Sequence, residues 1–325
     1  MSKKSLAVYT ATGCLACDTT ILDIHYQVSS LTRWAEIVFW PFIQGCHWED
    51  LEKQDHVDVC FFAGAIRTEE DRSAALALRD KSTILVACGA CAAFGGLPGL
   101  TNLTGDDPAL VRGATTPDDI PALPAIEKRV SALTQVVRVD YTVPGCPPPR
   151  NFLWAAFQSL VCDGQSQAGI SFAASNLPDS ISASLTSGIL PPHGSTFAGE
   201  RAVCAGCSRK KEEKKFQRYY RPYQIDPDSG RCLLEQGLVC QGLATREGCG
   251  GLCTAVGAGC RGCFGKAQAV FDPGAKMVSA ISSTFDSTNA AEIEALSAEF
   301  VDLAGTFYRY TLPTQCALKS GTAEE

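Results

Sequence analysis

Seventeen cysteines in 325 residues, eight of them between Cys204 and Cys263, constrain this chain more than any other feature. Thiols at that density either cross-link a secreted scaffold or hold metal. The N-terminus decides between the two. Lys3 and Lys4 lead straight into a cysteine-bearing turn at Gly13 and Cys14, without an apolar signal core, a small-residue cleavage site or a twin arginine. A cytoplasmic chain is expected, and in that reducing compartment an odd number of thiols points to metal or redox chemistry.

The remaining composition narrows the function classes. With 46% apolar and 19% charged residues the chain is globular. Its formal net charge of -7 leaves no broad electropositive footprint, which excludes nucleic acid as the main partner. No apolar run approaches the roughly 18 residues that span a bilayer, so no membrane span is expected.

Apolar runs and turn signals organise the first half as an α/β domain over residues 1–165. Strands are predicted over Ser5–Tyr9, Ala35–Trp40, Val57–Ala63, Thr83–Ala87 and Val136–Val143. Helices are predicted over Asp18–Leu31, from the Thr68-Glu69-Glu70-Asp71 cap to about Asp80, and over Asn151–Val161. Alternating β and α elements specify a doubly wound parallel sheet. Cys14 and Cys17 follow the first strand, Cys88 and Cys91 the fourth, and Cys146 the fifth. Carboxyl ends of parallel strands form the ligand crevice of such sheets, so cysteines distant in sequence are expected to meet there.

A Ser-, Ala-, Gly- and Pro-rich connector over 166–200 leads to a second domain over 201–325, mostly irregular with a helical stretch from Ala290 to Leu303. It has almost no periodic apolar pattern, so its core is expected to be inorganic. Its cysteines run Cys204-x2-Cys207-x24-Cys232-x7-Cys240-x8-Cys249-x3-Cys253-x6-Cys260-x2-Cys263. Eight thiolates make two four-ligand sets, and a cubane iron-sulfur cluster needs one thiolate on each of four irons. Cys14, Cys17, Cys91 and Cys146 complete a third set. Three 4Fe-4S clusters thus use twelve cysteines, leaving Cys46, Cys60, Cys88, Cys162 and Cys316, of which Cys60 in an apolar strand is a small buried hydrophobe.

Other readings compete at this point. The CxxC pairs 14/17, 88/91, 204/207 and 260/263 also suit zinc, which would make the chain a zinc-stabilised interaction protein. Gly257, Gly259 and Gly262 match a dinucleotide fingerprint but follow no strand. The run from Arg209 to Arg221 mixes signs and reads as a solvated helix face, or as a steering patch for an electron partner. His25, His47, His56 and His193 stand in no ligand spacing. With no catalytic triad, carboxylate pair or phosphate loop, the residues describe an electron wire with its source and sink on other chains.

The motifs resemble those of nickel-iron hydrogenase small subunits of the cytoplasmic group 3 branch. The resemblance rests on Gly13-Cys14 through Cys17, Gly89 through Cys91 to Gly95-Gly96 and Asn102, Pro144-Gly145-Cys146-Pro147-Pro148, and the eight-cysteine tail. The ending, Gly274 to Met277 through Gly305 to Tyr308, is similar to the methyl-viologen-reducing, factor-420-non-reducing type. It implies a flavodoxin-like domain whose Cys14, Cys17, Cys91 and Cys146 bind a proximal 4Fe-4S cluster facing the large subunit's nickel-iron centre. By the same resemblance Cys204, Cys207, Cys232 and Cys240 bind a distal cluster, and Cys249, Cys253, Cys260 and Cys263 a medial one. The implied partners are that large subunit and an iron-sulfur or flavin acceptor of heterodisulfide-reductase or diaphorase type. A complex whose large subunit lacks the nickel-iron site is the alternative. Ala16 and the extra thiol Cys88 depart from the family pattern.

Overall fold

The computed structural model describes residues 3–24, 31–104, 124–162, 177–213, 215–216, 218–300 and 302–316. Its centre is a five-stranded sheet of β1 (Lys4–Thr10), β2 (Ala35–Phe39), β3 (Val57–Ala63), β5 (Ser82–Cys88) and β7 (Tyr141–Val143). The strand order is β2-β1-β3-β5-β7 and every pairing is parallel. This is the flavodoxin-type order, with its topological switch between β1 and β3.

The continuous apolar runs arise because both sheet faces are covered. Val59, Phe61 and Ala63 of β3 join Leu6, Val8, Val86 and Phe157 in one cluster; Cys60 and Phe62 join Ala7, Leu85 and Ala87 in another. Each wholly buried large side chain contributes about 1.5–3 kcal/mol. Cys60 is fully buried, as its strand predicted.

Four helices matter for the first unit: α1 (Ala16–Leu22), α2 (Glu69–Lys81), α3 (Gly89–Phe94) and α4 (Arg150–Leu160). Thr68 caps α2, its Oγ1 accepting the Asp71 N–H at 3.1 Å. The Asp71 carboxylate in turn accepts the backbone N–H groups of Thr12, Arg67 and Thr68 and the Thr12 hydroxyl. One buried carboxylate therefore ties the start of α2 to the loop that carries Cys14.

Several expectations are corrected. The fifth strand shrinks from Val136–Val143 to Tyr141–Val143. The Val136 and Val137 N–H groups turn back to the Leu133 carbonyl, and Asp140 takes the Leu85 N–H and the Arg79 guanidinium on its side chain. Two short strands went unpredicted, β4 (Ile66–Thr68) and β6 (Ile126–Ser131), which pair antiparallel as a separate ribbon. The first helix ends at Leu22; residues 25–30, including His25, lie outside the described residues, as do 163–176, which take in the start of the connector, and the side chain of Cys316.

The chain divides into two compact units, 1–197 with 310–325, and Ala198–Arg309. The tail from Tyr310 thus belongs to the first unit instead of the expected second domain. Glycines explain its return: Pro313 fills the space where Gly95 and Gly99 have no side chain, and Gly96 donates its N–H to the Tyr310 carbonyl at 3.1 Å.

The second unit carries short 3-10 turns and the helices α5 (Pro273–Ser282), α6 (Ala290–Ala298) and α7 (Leu303–Phe307). It does have an apolar cluster, which includes Phe216, Leu233, Met277, Ile281 and Phe307, beside its cysteines. Among the described residues the run from Arg209 is not helical. Arg209 is buried, its guanidinium donating to the carbonyls of Thr254, Asp228 and Arg231, which pins the chain out of helical register.

Candidate metal centres

Cys14, Cys17, Cys91 and Cys146 line one cavity at the carboxyl ends of β1, β5 and β7. The loops that carry them are fastened together, the Ala90 N–H donating to the Gly145 carbonyl at 2.7 Å and the Ala65 N–H to the Thr12 carbonyl at 2.8 Å. Two glycines make the approach possible. A Cβ on Gly89 would stand 2.5 Å from Cys17 Sγ, and one on Gly96 would fall on Cys91 Sγ; both residues have positive φ.

Electrostatics shows what four close thiols demand. Burial, followed by the thiolates of Cys146, Cys17 and Cys14, pushes the Cys91 pKa up to about 12, while a Leu97 N–H opposes the rise. Cys146 is raised by burial and by Cys14 and Cys17, with the Tyr310 side chain bonding to it in opposition. Cys17 is raised by its hydrogen bond to Cys88, then by burial and by the negative charges of Cys88, Asp18 and Cys14. Mutual repulsion of this kind is relieved when a positively charged iron core takes the four thiolates.

A second cavity gathers Cys204, Cys207, Cys232 and Cys240, with Arg209 and Lys211 in its wall. Burial and then Cys240 push Cys204 up to about 11, and Lys211 counters them. Burial raises Cys240, whose sulfur accepts the Cys260 N–H at 3.3 Å and a second N–H from Gly242. Amide-to-sulfur bonds such as these hold cluster thiolates and tune them. Gly242 leaves room for both sulfurs, since a Cβ there would lie 3.2 Å from Cys204 Sγ and 3.5 Å from Cys240 Sγ.

The third set is less gathered. Cys260 is buried against Cys240 and senses Cys263, and its thiol is pushed up to about 12 by burial first. Cys253 is exposed at the start of the short helix Leu252–Ala255, and half-buried Cys249 lies among Gly248, Gly250 and Gly251. Among the described residues no three His, Cys, Asp or Glu side chains converge on a point for a single ion. The thiols of the first two sets wall cavities instead.

Sequence reasoning missed Tyr310, which reaches Cys146 from the far end of the chain; the spacing Gly95-Gly96-Gly99 was the one available signal that something packs there. Of the histidines, His56 bonds to Thr83 at 2.9 Å and His193 sits 3.3 Å from Asp140; neither joins a cysteine set. Gly96→Ala is expected to leave the protein folded but to reduce the iron it holds. The new methyl meets Cys91 Sγ, and the left-handed backbone costs roughly 1–2 kcal/mol for alanine; iron analysis beside a thermal melt separates the two effects.

Fold and cavities define a class that comparison with known proteins makes specific. Residues 14–160, which contain the whole first set, match the family described as NADH ubiquinone oxidoreductase, 20 Kd subunit. The chain shares its fold with the [NiFeSe] hydrogenase of Desulfovibrio vulgaris Hildenborough, at a TM-score of 0.50 and 18% identity over 81% of this chain and 94% of that one. It is 33% identical to a subunit of the F420-non-reducing hydrogenase vhu of Methanocaldococcus jannaschii, over 93% of this chain and 92% of the relative. It is 29% identical to the iron-sulfur subunit of the F420-non-reducing hydrogenase of Archaeoglobus profundus, over 95% and 96%. The chain belongs to the nickel-iron hydrogenase small subunits, in the branch of the F420-non-reducing hydrogenases. Among the described residues no helix is long and apolar enough to cross a membrane.

Proposed function

We propose that this hydrogenase subunit relays single electrons, through three 4Fe-4S clusters, between a nickel-iron large subunit and an iron-sulfur or flavin acceptor. The observation that carries the reading is the meeting of Cys14, Cys17, Cys91 and Cys146 in one cavity, from three loops of a sheet that has no other use for thiols there. Cys204, Cys207, Cys232 and Cys240 would hold the distal cluster, and Cys249, Cys253, Cys260 and Cys263 the medial one. A bound cubane supplies a carrier that gains and loses one electron at a time.

The chain's own residues do the rest. Cysteines fix the sites, the N–H groups of Leu97, Gly242, Cys260 and Gly262 donate to sulfurs, and the apolar cluster around β1, β5 and α4 keeps water from the base of the first cavity. Anaerobically purified protein is expected to hold about twelve irons and twelve sulfides per chain. Combined with its large subunit it should reduce viologen with H2. Stoichiometric zinc without sulfide, or a metal-replete complex inert to H2, would sink the proposal.

A further inference from the structure

Within the second unit the segments 218–229 and 255–261 border a trough made of two adjoining cavities that share Pro222, Tyr223, Gln224, Gly257 and Ala258. Arg218, Arg221, Arg261 and Arg309 line one end. The ion pairs of this unit are Arg201–Glu247, Lys215–Asp286 and Arg231–Glu235, and among the described residues none involves those four arginines. Two carboxylates share that wall, Asp302 accepting the Gly305 N–H at 2.7 Å and Glu299 the Tyr219 N–H at 3.3 Å, so the guanidinium groups outnumber them four to two. The Tyr219 hydroxyl and Arg309 Nε are buried without a hydrogen-bond partner.

Its other end is open and mixed, with Arg209 and Asp226 in the wall beside Tyr223 and Val256, which are 85% and 81% exposed. A chain of net charge -7 has here concentrated unpaired guanidinium groups beside bare apolar side chains. The trough also reaches one of the thiols. Cys260 forms part of the arginine-lined end, and Arg209 belongs both to the other end and to the cavity of Cys204, Cys207, Cys232 and Cys240.

We infer that this trough is the docking surface for an acidic segment of the electron-accepting partner. Carboxylates of the segment pair with Arg218, Arg221, Arg261 and Arg309, and an apolar side chain covers Tyr223 and Val256. A groove with four guanidinium groups at one end and the exposed Tyr223 and Val256 at the other fits a peptide segment, and Cys260 in its wall fits a partner that takes electrons. Charges so placed act chiefly on the rate of encounter and on its salt dependence. The inference rests on the relay reading and names the surface where the relay ends.

The test uses the cluster-loaded complex of this chain with its large subunit and the acceptor subunit. In Arg218→Glu/Arg221→Glu the H2-dependent rate of acceptor reduction at low salt should fall about 10- to 1000-fold, the range over which electrostatic steering acts. Raising the salt should erase the difference from wild type, while viologen reduction stays within about threefold. A photo-crosslinking side chain at position 223 should attach to an Asp- or Glu-rich segment of the acceptor. Unchanged acceptor kinetics in the double variant overturns the inference. So does attachment to the large subunit or to a second copy of this chain, or the absence of any attachment while acceptor reduction proceeds. Wild-type complex that fails to reduce viologen overturns the relay reading instead, so the two failures are distinguishable.

Discussion

In Cys146→Ser, iron should fall from about twelve to about eight per chain, one cubane's worth. H2-dependent viologen reduction should drop at least ~100-fold, more than the 10- to 100-fold that loss of a mere outer-shell partner costs. The reason lies in the first cavity, where Cys146 shares one space with Cys14, Cys17 and Cys91. Serine keeps the shape but offers a hard oxygen in place of a soft thiolate. Cys207→Ser should lose a similar amount of iron with a different kinetic outcome. Its thiol lines the other cavity, donating to Thr254 Oγ1 at 3.6 Å. Viologen is small and can take electrons upstream of that site, so its reduction should persist while delivery to the physiological acceptor collapses. Iron unchanged in Cys146→Ser would remove it from the ligand set, and identical kinetics in the two variants would show that the sites are not successive.

The same residues show why this fold was largely legible and where legibility stopped. Strands β1, β3 and β5 announce themselves because both faces are buried, so that Cys60 and Phe61 are both apolar though they point to opposite sides. The cysteines of the first set could be placed at strand ends from sequence because a parallel sheet leaves its loops one edge on which to meet. Val136–Val139 misled because an apolar stretch reads alike in a strand and in a turn packed on the sheet; the backbone bonds back to Leu133 decide it. Arg209 misled because basic runs are normally solvated, and only the folded chain offers the carbonyls of Thr254, Asp228 and Arg231 to its guanidinium fork. Tyr310 and Pro313 lie more than 150 residues from the loops they pack on, beyond any local pattern.

A last prediction concerns the direction in which electrons fall. Net charge, hydrogen bonds to sulfur and exposure set cluster potentials, and the two cavities differ in the first of these. Asp18 is 1% exposed and follows Cys17 directly; its carboxylate accepts the Trp40 indole N–H at 2.8 Å and the Thr10 hydroxyl. A buried negative charge opposes an added electron and lowers the potential of the first site. At the second site the buried Arg209 guanidinium and Lys211 favour the added electron and raise it. Electrons are therefore expected to run downhill from the first site to the second. One unit charge about 10 Å away at an effective dielectric near 20 is worth ~1.7 kcal/mol, which for one electron is roughly 70 mV. Asp18→Asn, isosteric and still able to bond Trp40 and Thr10, should raise the first site's potential by about that amount, as read in a potentiometric titration followed by electron paramagnetic resonance. Arg209→Met should lower the second site's potential by a similar amount, and the milder Lys211→Gln by less, because that ammonium is exposed to water. Shifts of the same sign at the two sites, or none with iron content intact, would mean that hydrogen bonds to sulfur and not these charges set the slope.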